Sequence, residues 1–258
     1  MAFHHELYDA LEAFARRGKP LTPQAALIDM DGVLYDSMPR HADAWLQMTN
    51  EIGLHCNRNE FFLYEGMTGR ATIQLLMRKY LGRDATAEEC ERLYARKTAL
   101  FAANAGRPLM PGATEMLKAL GAFGLKRILV TGSGQASLID SLTHDYPGVF
   151  GREAMVTAAD VRHGKPDPEP YLMGLTKAGC EAWQAIVVEN AQAIVVENAP
   201  LGVEAGFRAG CFVCAVATGP IPQEALREAG ADLVFASMPE FAAALPILIK
   251  TASLQALQ

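Results

Sequence analysis

Apolar and polar residues follow two patterns along this chain, and each pattern predicts a different kind of secondary structure. Short continuous apolar runs, bounded by glycine, proline or polar residues, are typical of strands that are buried on both faces of a sheet. Apart from a repeated segment near residue 190, such runs occur at 25–28, 127–131, 154–157, 211–217 and 232–235. Helical patterns separate most of these runs. Because strands and helices alternate, we expect the α/β class, with a doubly wound parallel sheet.

The stretch after the first predicted strand contains only helical patterns. These lie at residues 39–52, 59–64, 71–80 and 87–103. The pattern predicts an all-helical cap domain at 38–107, inserted into a core domain formed by 25–37 and 108–258. Pro39 and the glycine- and proline-rich segment 106–112 are the expected hinges. Residues 1–24 are predicted to form a helical extension, because Leu7, Leu11 and Phe14 have the spacing of an amphipathic helix.

Composition and charge narrow the class of protein. The chain has 258 residues, of which 50% are hydrophobic and 20% charged, and its formal net charge is -6. An acidic chain disfavours nucleic-acid binding, and no apolar run is long enough to span a membrane. The first residues do not form a secretory signal, and five scattered cysteines fit a reducing compartment. We expect a cytoplasmic protein without nucleic-acid or membrane partners, as a monomer or weak oligomer.

Two aspartates follow the first predicted strand directly, in the order Asp29-Met30-Asp31-Gly32. Alternation along a strand would point Asp29 and Asp31 the same way, and Gly32 permits a sharp turn after them. Two close carboxylates repel each other and raise a pKa unless a cation lies between them. The pair therefore predicts a divalent metal ion, with one carboxylate as ligand or nucleophile and the other for proton transfer. The alternative is a solvated acidic turn.

The ends of the later strands carry further candidates, since ligands bind at the carboxyl ends of parallel strands. Thr131-Gly132-Ser133-Gly134 combines a hydroxyl group with small residues that expose backbone N–H groups to a phosphate. An ordinary strand-to-helix turn is the alternative, and dinucleotide binding is weaker because Ser137 replaces the third glycine. Lys165 lies in the rigid loop His163-Gly164-Lys165-Pro166-Asp167-Pro168, which suits a phosphate, whereas a lone lysine is more often solvated.

In this order, Asp29-x-Asp31-Gly32, Thr131, Lys165 and a Glu-Asn pair before Ala-Pro-Leu-Gly resemble the four motifs of the haloacid dehalogenase superfamily. More closely, residues 25 to about 240 resemble its β-phosphoglucomutase-like phosphatases with a helical cap. The resemblance implies a Rossmann-like core, Mg²⁺ and phosphoryl transfer through an aspartyl-phosphate. It implies that Asp29 is the nucleophile and a magnesium ligand, and that Asp31 is the general acid and base, with its backbone carbonyl on the metal ion.

The resemblance also assigns roles to residues around these aspartates. It implies that Thr131, Gly132, Ser133 and Lys165 hold the phosphoryl group. His41, on the first cap helix, matches a histidine that helps to couple substrate binding to the general acid and base in mutase relatives. A histidine on the helix surface is the alternative.

The Glu-Asn pair occurs twice, because residues 185–192 and 193–200 repeat an octapeptide with one change. Only one copy can occupy the central strand. The second copy keeps its spacing to the following helix, whereas an insertion before the strand lengthens only a surface connection. We therefore expect Glu197 and Asn198 to be the metal ligands, with Glu189 and Asn190 as the alternate register.

The cap loop bears on the substrate. Mutase relatives have a lysine where this chain has Glu65, and an arginine that Arg70 matches only with a one-residue offset. A glutamate would repel a second phosphate, and similar inorganic pyrophosphatases have an acidic residue there that reaches the metal ion. We expect a magnesium-dependent phosphohydrolase acting on a small phosphorylated substrate, such as pyrophosphate or a sugar phosphate. The alternative functions are a β-phosphoglucomutase and a variant inactivated by the duplication. For Glu65, the alternative is a solvated glutamate in the cap loop.

Overall fold

A six-stranded parallel sheet forms the centre of the protein. The computed structural model describes residues 2–103, 108–134, 136–180 and 193–257. Within these ranges the strands are β1 (Ala25–Ile28), β2 (Lys126–Val130), β3 (Met155–Val156), β4 (Ala193–Glu197), β5 (Phe212–Val216) and β6 (Leu233–Phe235). Their order in the sheet is β3-β2-β1-β4-β5-β6, and every pairing is parallel. The predicted α/β class with a doubly wound parallel sheet is confirmed.

The strand order reverses beside β1, and this reversal fixes where a ligand can bind. From β1 the chain builds the sheet outward through β2 and β3, and then returns to the other side of β1 with β4. The helices Ala113–Ala122, which leads into β2, and Pro200–Arg208, which follows β4, pack in different core clusters on opposite faces of the sheet. This arrangement leaves a crevice at the carboxyl ends of the central strands. Every residue of β1, β4 and β5 is buried, because helices cover both faces of the sheet.

The helices that cover the sheet follow its strands closely. In order they are α6 (Ala113–Ala122), α7 (Ala136–Asp145), α8 (Glu169–Ala178), α9 (Pro200–Arg208), α10 (Gln223–Glu228) and α11 (Met238–Gln255). The last helix, α11, continues to Gln255. Pro246 lies within it without ending it, and the buried Ala252 extends its apolar face. None of the described helices is long and apolar enough to cross a membrane.

Four helices lie between β1 and β2 in the described part of the insertion, and no strand accompanies them there. They are α2 (Met38–Glu51), α3 (Glu60–Leu63), α4 (Gly69–Leu81) and α5 (Ala87–Ala103). Thr68 begins α4, since its hydroxyl accepts a hydrogen bond from Ala71 N at 3.2 Å, and the left-handed Gly82 ends it. The helical content agrees with the predicted insertion. Part of the second expected hinge, residues 106 and 107, lies outside the described residues.

The amino-terminal helix α1 (Ala2–Ala15) packs against the sheet. Leu7, Leu11 and Phe14 are buried, and the Phe14 ring lies edge-on to Phe212 of β5 with 5.4 Å between centroids. After the helix, Arg17 forms an ion pair with Asp232, at the start of the β6 region. The helix thus covers apolar surface of the sheet that would otherwise face water.

Phe14→Ala should therefore lower the free energy of unfolding by about 3–5 kcal/mol, the usual cost of emptying a buried phenylalanine site. Tyr8→Ala, at a half-exposed position of the same helix, should change it by less than about 0.5 kcal/mol. Denaturant titration of both variants measures the difference. Equal, small losses would mean that α1 does not contribute to the folded core.

Candidate active site

The predicted site residues come together where the central strands end. Asp29 follows β1, Thr131 follows β2, and Glu197 is the last residue of β4. A cavity of about 70 Å³ lies between these strand ends and the inserted helices. On the helical side its lining is mostly aromatic or apolar, with Met38, Trp45, Phe61, Tyr64, Met67 and Tyr94. The crevice beside β1 is therefore a small pocket with carboxylates at its base.

Lys165 is buried between two carboxylates, of which Asp29 lines this pocket and Glu197 lies behind it. Its Nζ donates to Asp29 Oδ1 at 2.5 Å and to Glu197 Oε1 at 2.5 Å. It also donates to the backbone carbonyl of Val130 at 3.1 Å. An ammonium group has three N–H donors, so all of them are used. Lys165 is 2% exposed, which excludes the alternative of a solvated surface lysine.

Two carboxyl groups that line the pocket have raised pKa values. Burial, together with the Glu197 and Asp31 charges, raises the pKa of Asp29 to about 8, although Lys165 opposes the change. Burial alone would lower the pKa of Lys165, but Asp29 and Glu197 raise it. Glu65 is also buried, and its pKa is well above the ordinary value because of burial and the Asp29 charge. Lys165 alone does not keep these carboxyl groups ionised at neutral pH, so a further cation would stabilise their ionised forms.

Asp31 belongs to a separate chain of hydrogen bonds. Its Oδ1 accepts from Ser37 Oγ at 2.5 Å and lies 3.1 Å from His41 Nε2. His41 Nδ1 lies 2.6 Å from Lys97 Nζ. Since an ammonium group only donates, Nδ1 accepts from Lys97 and Nε2–H donates to Asp31. His41 is buried and stacks on Phe101 at 4.0 Å between centroids, so it is not a helix-surface histidine.

These hydrogen bonds give Asp31 a lower pKa than that of Asp29. Burial would raise the pKa of Asp31, but the His41 and Ser37 contacts and the Lys97 charge lower it to about 2. Burial lowers the pKa of His41, and the Lys97 charge lowers it further. Asp31 is therefore ionised at neutral pH. The two aspartates, separated by a single residue in sequence, have different electrostatic surroundings.

Sequence reasoning missed Lys97, although the pattern contains a signal for it. Lys97 is 3% exposed on α5, at the spacing of the buried Leu93, Leu100 and Phe101. A lysine on the apolar face of a helix needs a buried partner, which here is His41. Its ammonium group also lies 5.2 Å from the ring centroids of Trp45 and Phe101.

Thr131, Gly132 and Ser133 line the pocket as a turn after β2. Thr131 is buried, and its Oγ1 accepts a hydrogen bond from Ser133 N at 3.1 Å. A Cβ atom on Gly132 would lie 2.7 Å from the carbonyl oxygen of Gly66. A side chain there would collide with the loop of the inserted helices, so glycine allows the two parts to meet over the pocket.

Arg70 is not brought into the pocket. It is exposed, and it is absent from the described lining. The preceding Gly69 faces inward, since a Cβ atom there would lie 2.1 Å from Tyr94. One residue later on a helix the side chain is rotated by about 100°, which directs Arg70 away from the site.

Glu65 reaches the pocket from the loop between α3 and α4. It is 8% exposed, which excludes a solvated loop glutamate. Its Oε1 accepts a hydrogen bond from Asn198 Nδ2 at 3.0 Å. Asn198 packs over Gly32, whose φ is +81° and whose missing side chain leaves room for the amide. The other amide atom, Asn198 Oδ1, is buried without a partner among the described residues.

Glu197 and Asn198 of the second octapeptide copy occupy the strand end, and residues 185–192, with Glu189 and Asn190, lie outside the described residues. Both carboxylate oxygens of Glu197 are engaged. Oε1 accepts from Lys165 and from the Tyr171 hydroxyl at 2.6 Å, and Oε2 accepts from Asn198 N at 3.1 Å. Gly202 leaves the space for this carboxylate.

The donor set fits the Mg²⁺ that the sequence implies. No cluster of three or more His, Cys, Asp or Glu side chains in the described ranges is arranged around a metal position, because Lys165 lies between Asp29 and Glu197. An unpaired amide oxygen on Asn198 and a surplus of buried carboxylates nevertheless suit a hard divalent cation that prefers oxygen ligands. Asn198 is a better candidate ligand than Glu197, whose oxygens already have partners.

Lys97→Met should change how the free energy of unfolding depends on pH, because Lys97 is buried. The pKa of Lys97 falls from 10.5 to about 8 through burial, so the unfolded chain binds more protons between these values. The free energy of unfolding of the wild type, relative to Lys97→Met, should then rise by about 3 kcal/mol from pH 8 to pH 10.5 at 1.36 kcal/mol per pKa unit. Denaturant titrations across this range measure it, with Lys118→Met as the exposed-lysine control. A difference that does not change with pH would contradict the arrangement.

Comparisons with known proteins agree with this architecture. Residues 23–210 match the haloacid dehalogenase-like hydrolase family. The chain is 31% identical to hexitol phosphatase A of Escherichia coli over 83% of this chain and 91% of that protein. It is also 31% identical to validoxylamine A 7'-phosphate phosphatase of Streptomyces hygroscopicus, over 80% and 91%.

The comparison of folds gives the same result. A structure from Bacteroides vulgatus, assigned provisionally as a β-phosphoglucomutase, superimposes with a TM-score of 0.87 and 42% identity over 96% of this chain and 98% of that one. The predicted resemblance to the superfamily and its β-phosphoglucomutase-like subgroup is confirmed. The chain belongs to the haloacid dehalogenase-like hydrolases.

Proposed function

We propose that this protein is a magnesium-dependent phosphohydrolase that acts on a small phosphorylated substrate through a phosphoryl group carried by Asp29. The observation that carries the proposal is the contact between Asp29 and the buried Lys165 at the carboxyl end of β1. It sets a carboxylate nucleophile beside the ammonium group needed to hold an incoming anion. The relatives named hexitol phosphatase A and validoxylamine A 7'-phosphate phosphatase support phosphate-ester hydrolysis.

The residues divide the reaction into two transfers. An oxygen of Asp29 attacks phosphorus, and the bond from phosphorus to the leaving group breaks as the acyl phosphate forms. The leaving oxygen takes a proton from solvent, because ionised Asp31 carries none. Lys165, the Thr131 hydroxyl and backbone N–H groups of the following turn stabilise the phosphoryl oxygens. Ionised Asp31 then takes a proton from water, whose oxygen attacks phosphorus and releases inorganic phosphate from Asp29.

Asp29, the backbone carbonyl of Asp31 and Asn198 Oδ1 are the proposed magnesium ligands, with Glu65 beside them. Bound Mg²⁺ supplies positive charge that reduces the repulsion between Asp29 and an anionic phosphoryl group. Glu197 contributes mainly by holding Lys165. This differs from the role expected from sequence, in which Glu197 is itself a ligand.

The pocket limits the substrate to a compact group. Its volume is about 70 Å³, and a cavity needs roughly 10–15 Å³ on this scale to hold one water molecule. Among the described lining residues, the cationic side chain on the helical side is Lys97, which is engaged with His41. Glu65 disfavours a second phosphate unless a metal ion lies between them. We therefore propose inorganic pyrophosphate bound with magnesium, or a small sugar phosphate.

A β-phosphoglucomutase is the second candidate, supported by one observation. His41 of the inserted helices contacts Asp31 at 3.1 Å, as the resemblance to mutases implies. Isomerisation of β-glucose 1-phosphate faster than its hydrolysis would favour the mutase.

Phosphate release tests the proposed function most simply. Pyrophosphate, β-glucose 1-phosphate and polyol phosphates should be compared with Mg²⁺ and with a chelator. We expect magnesium-dependent release from at least one of them. No turnover of any substrate would support the variant inactivated by the octapeptide duplication.

Asp29→Asn should lower the rate of phosphate release by about 10³-fold or more, because the amide cannot act as the nucleophile. The melting temperature should not fall, since the variant removes a buried charge whose burial is unfavourable and keeps an acceptor for Lys165. Asp36→Asn, at an exposed position, is the matched control and should retain activity. Asp29→Asn turnover close to that of the wild type would overturn the assignment.

A further inference from the structure

Lys165 has a bonding constraint that the proposed function makes important. Its three N–H donors are taken by Asp29, Glu197 and the Val130 carbonyl. An ammonium group that holds a transferring phosphoryl group must direct at least one donor toward it. One of these three acceptors must therefore release Lys165 when an anion enters.

Glu197 can release Lys165 without leaving either of its carboxylate oxygens unpartnered. Its Oε1 also accepts a hydrogen bond from the Tyr171 hydroxyl at 2.6 Å. Its Oε2 accepts from Asn198 N at 3.1 Å. Both oxygens therefore keep a partner after Lys165 turns away, and an unpaired buried carboxylate oxygen is avoided.

The fold holds Tyr171 firmly in this position. Tyr171 is completely buried near the start of α8, six residues after Lys165 and joined to it by the proline-rich loop. Its ring centroid lies 5.0 Å from Lys165 Nζ. The Tyr171 ring thus lies against the Lys165 ammonium group, while the Tyr171 hydroxyl donates to Glu197, which accepts from the same ammonium group.

We propose that Tyr171 is a positioning residue that retains Glu197 while Lys165 exchanges Glu197 for a phosphoryl oxygen. This inference rests on the proposed role of Lys165 in binding phosphate. Without the hydroxyl, Glu197 depends on Lys165 for the partner of Oε1 and competes with the incoming anion. Tyr171 therefore acts through Lys165 and has no contact with the substrate.

Tyr171→Phe tests this role, because it removes the hydroxyl and keeps the ring against Lys165. Binding of inorganic phosphate, measured by titration calorimetry with Mg²⁺ present, should weaken about tenfold. The matched control is Tyr80→Phe, which removes a Tyr80 hydroxyl that donates to Glu60 Oε1 at 2.6 Å. The control should lose some thermal stability and retain phosphate affinity.

A double-mutant cycle distinguishes positioning from a general loss of structure. In a Lys165→Met background, whose folding is checked by circular dichroism, Tyr171→Phe should have less than a twofold further effect on phosphate affinity. If Lys165→Met does not fold, the same cycle is run with Lys165→Arg, for which the tenfold effect should become smaller. The inference is overturned if phosphate binds Tyr171→Phe as tightly as wild type. A full tenfold effect in the lysine variant, or an equal loss in Tyr80→Phe, also overturns it.

The binding measurement separates this inference from the proposed function. A wild-type protein that binds phosphate in a Tyr171-dependent way but hydrolyses no substrate would refute the hydrolase and retain the role of Tyr171. Turnover that Tyr171→Phe leaves unchanged, together with unchanged phosphate binding, would retain the hydrolase and refute the role. A wild type that binds no phosphate would refute the role of Tyr171 directly.

Discussion

One buried ammonium group shared by two buried carboxylates is the constraint on which the rest of the site depends. Lys165 satisfies Asp29 and Glu197 at once, but its single charge cannot balance both. Burial, together with the Glu197 and Asp31 charges, raises the pKa of Asp29 to about 8 although Lys165 opposes the change. Removing an ion from water is costly, so the site retains this charge only because β1, β4 and the 163–168 loop fix the groups together. The same imbalance favours a divalent cation.

The fold separates the tasks of two aspartates that are nearly adjacent in sequence. Asp29 stays with the strand ends and Lys165, whereas Asp31 turns toward Ser37 and His41 of the inserted helices. Burial raises the pKa of Asp29, whereas the His41 and Ser37 contacts and the Lys97 charge lower the pKa of Asp31, so the two carboxyl groups have different environments. In the proposed mechanism, proton transfer by Asp31 would depend on the position of α2 and α5, and attack by Asp29 would depend on the sheet.

Much of this arrangement could be predicted because sheet topology turns sequence order into spatial proximity. Apolar runs locate the strands, and the polar residues just after them meet at one edge, which brings Asp29, Thr131 and Lys165 together. The even spacing of the two octapeptide copies puts the same side chains on the same face in either register. Sequence pattern alone therefore could not decide between the registers. The structure places Glu197 at the strand end.

The remaining features depend on contacts between distant parts of the chain. Pairing of Lys97 with His41, and of Tyr171 with Glu197, requires side-chain directions that periodicity does not give. Sequence similarity also suggested Arg70 for the site, but a one-residue offset on a helix is enough to direct its side chain outward. The partners of Glu197 likewise explain why Asn198 is the better candidate ligand.

Chemical identification of the phosphorylated residue tests the central claim most directly. Enzyme mixed with Mg²⁺ and a hydrolysed substrate is quenched during turnover, reduced with borohydride and digested for peptide mass spectrometry. Borohydride reduces an acyl phosphate to an alcohol, so the account predicts homoserine in place of Asp29. Modification at another residue, or an unmodified Asp29 during demonstrable turnover, would contradict it.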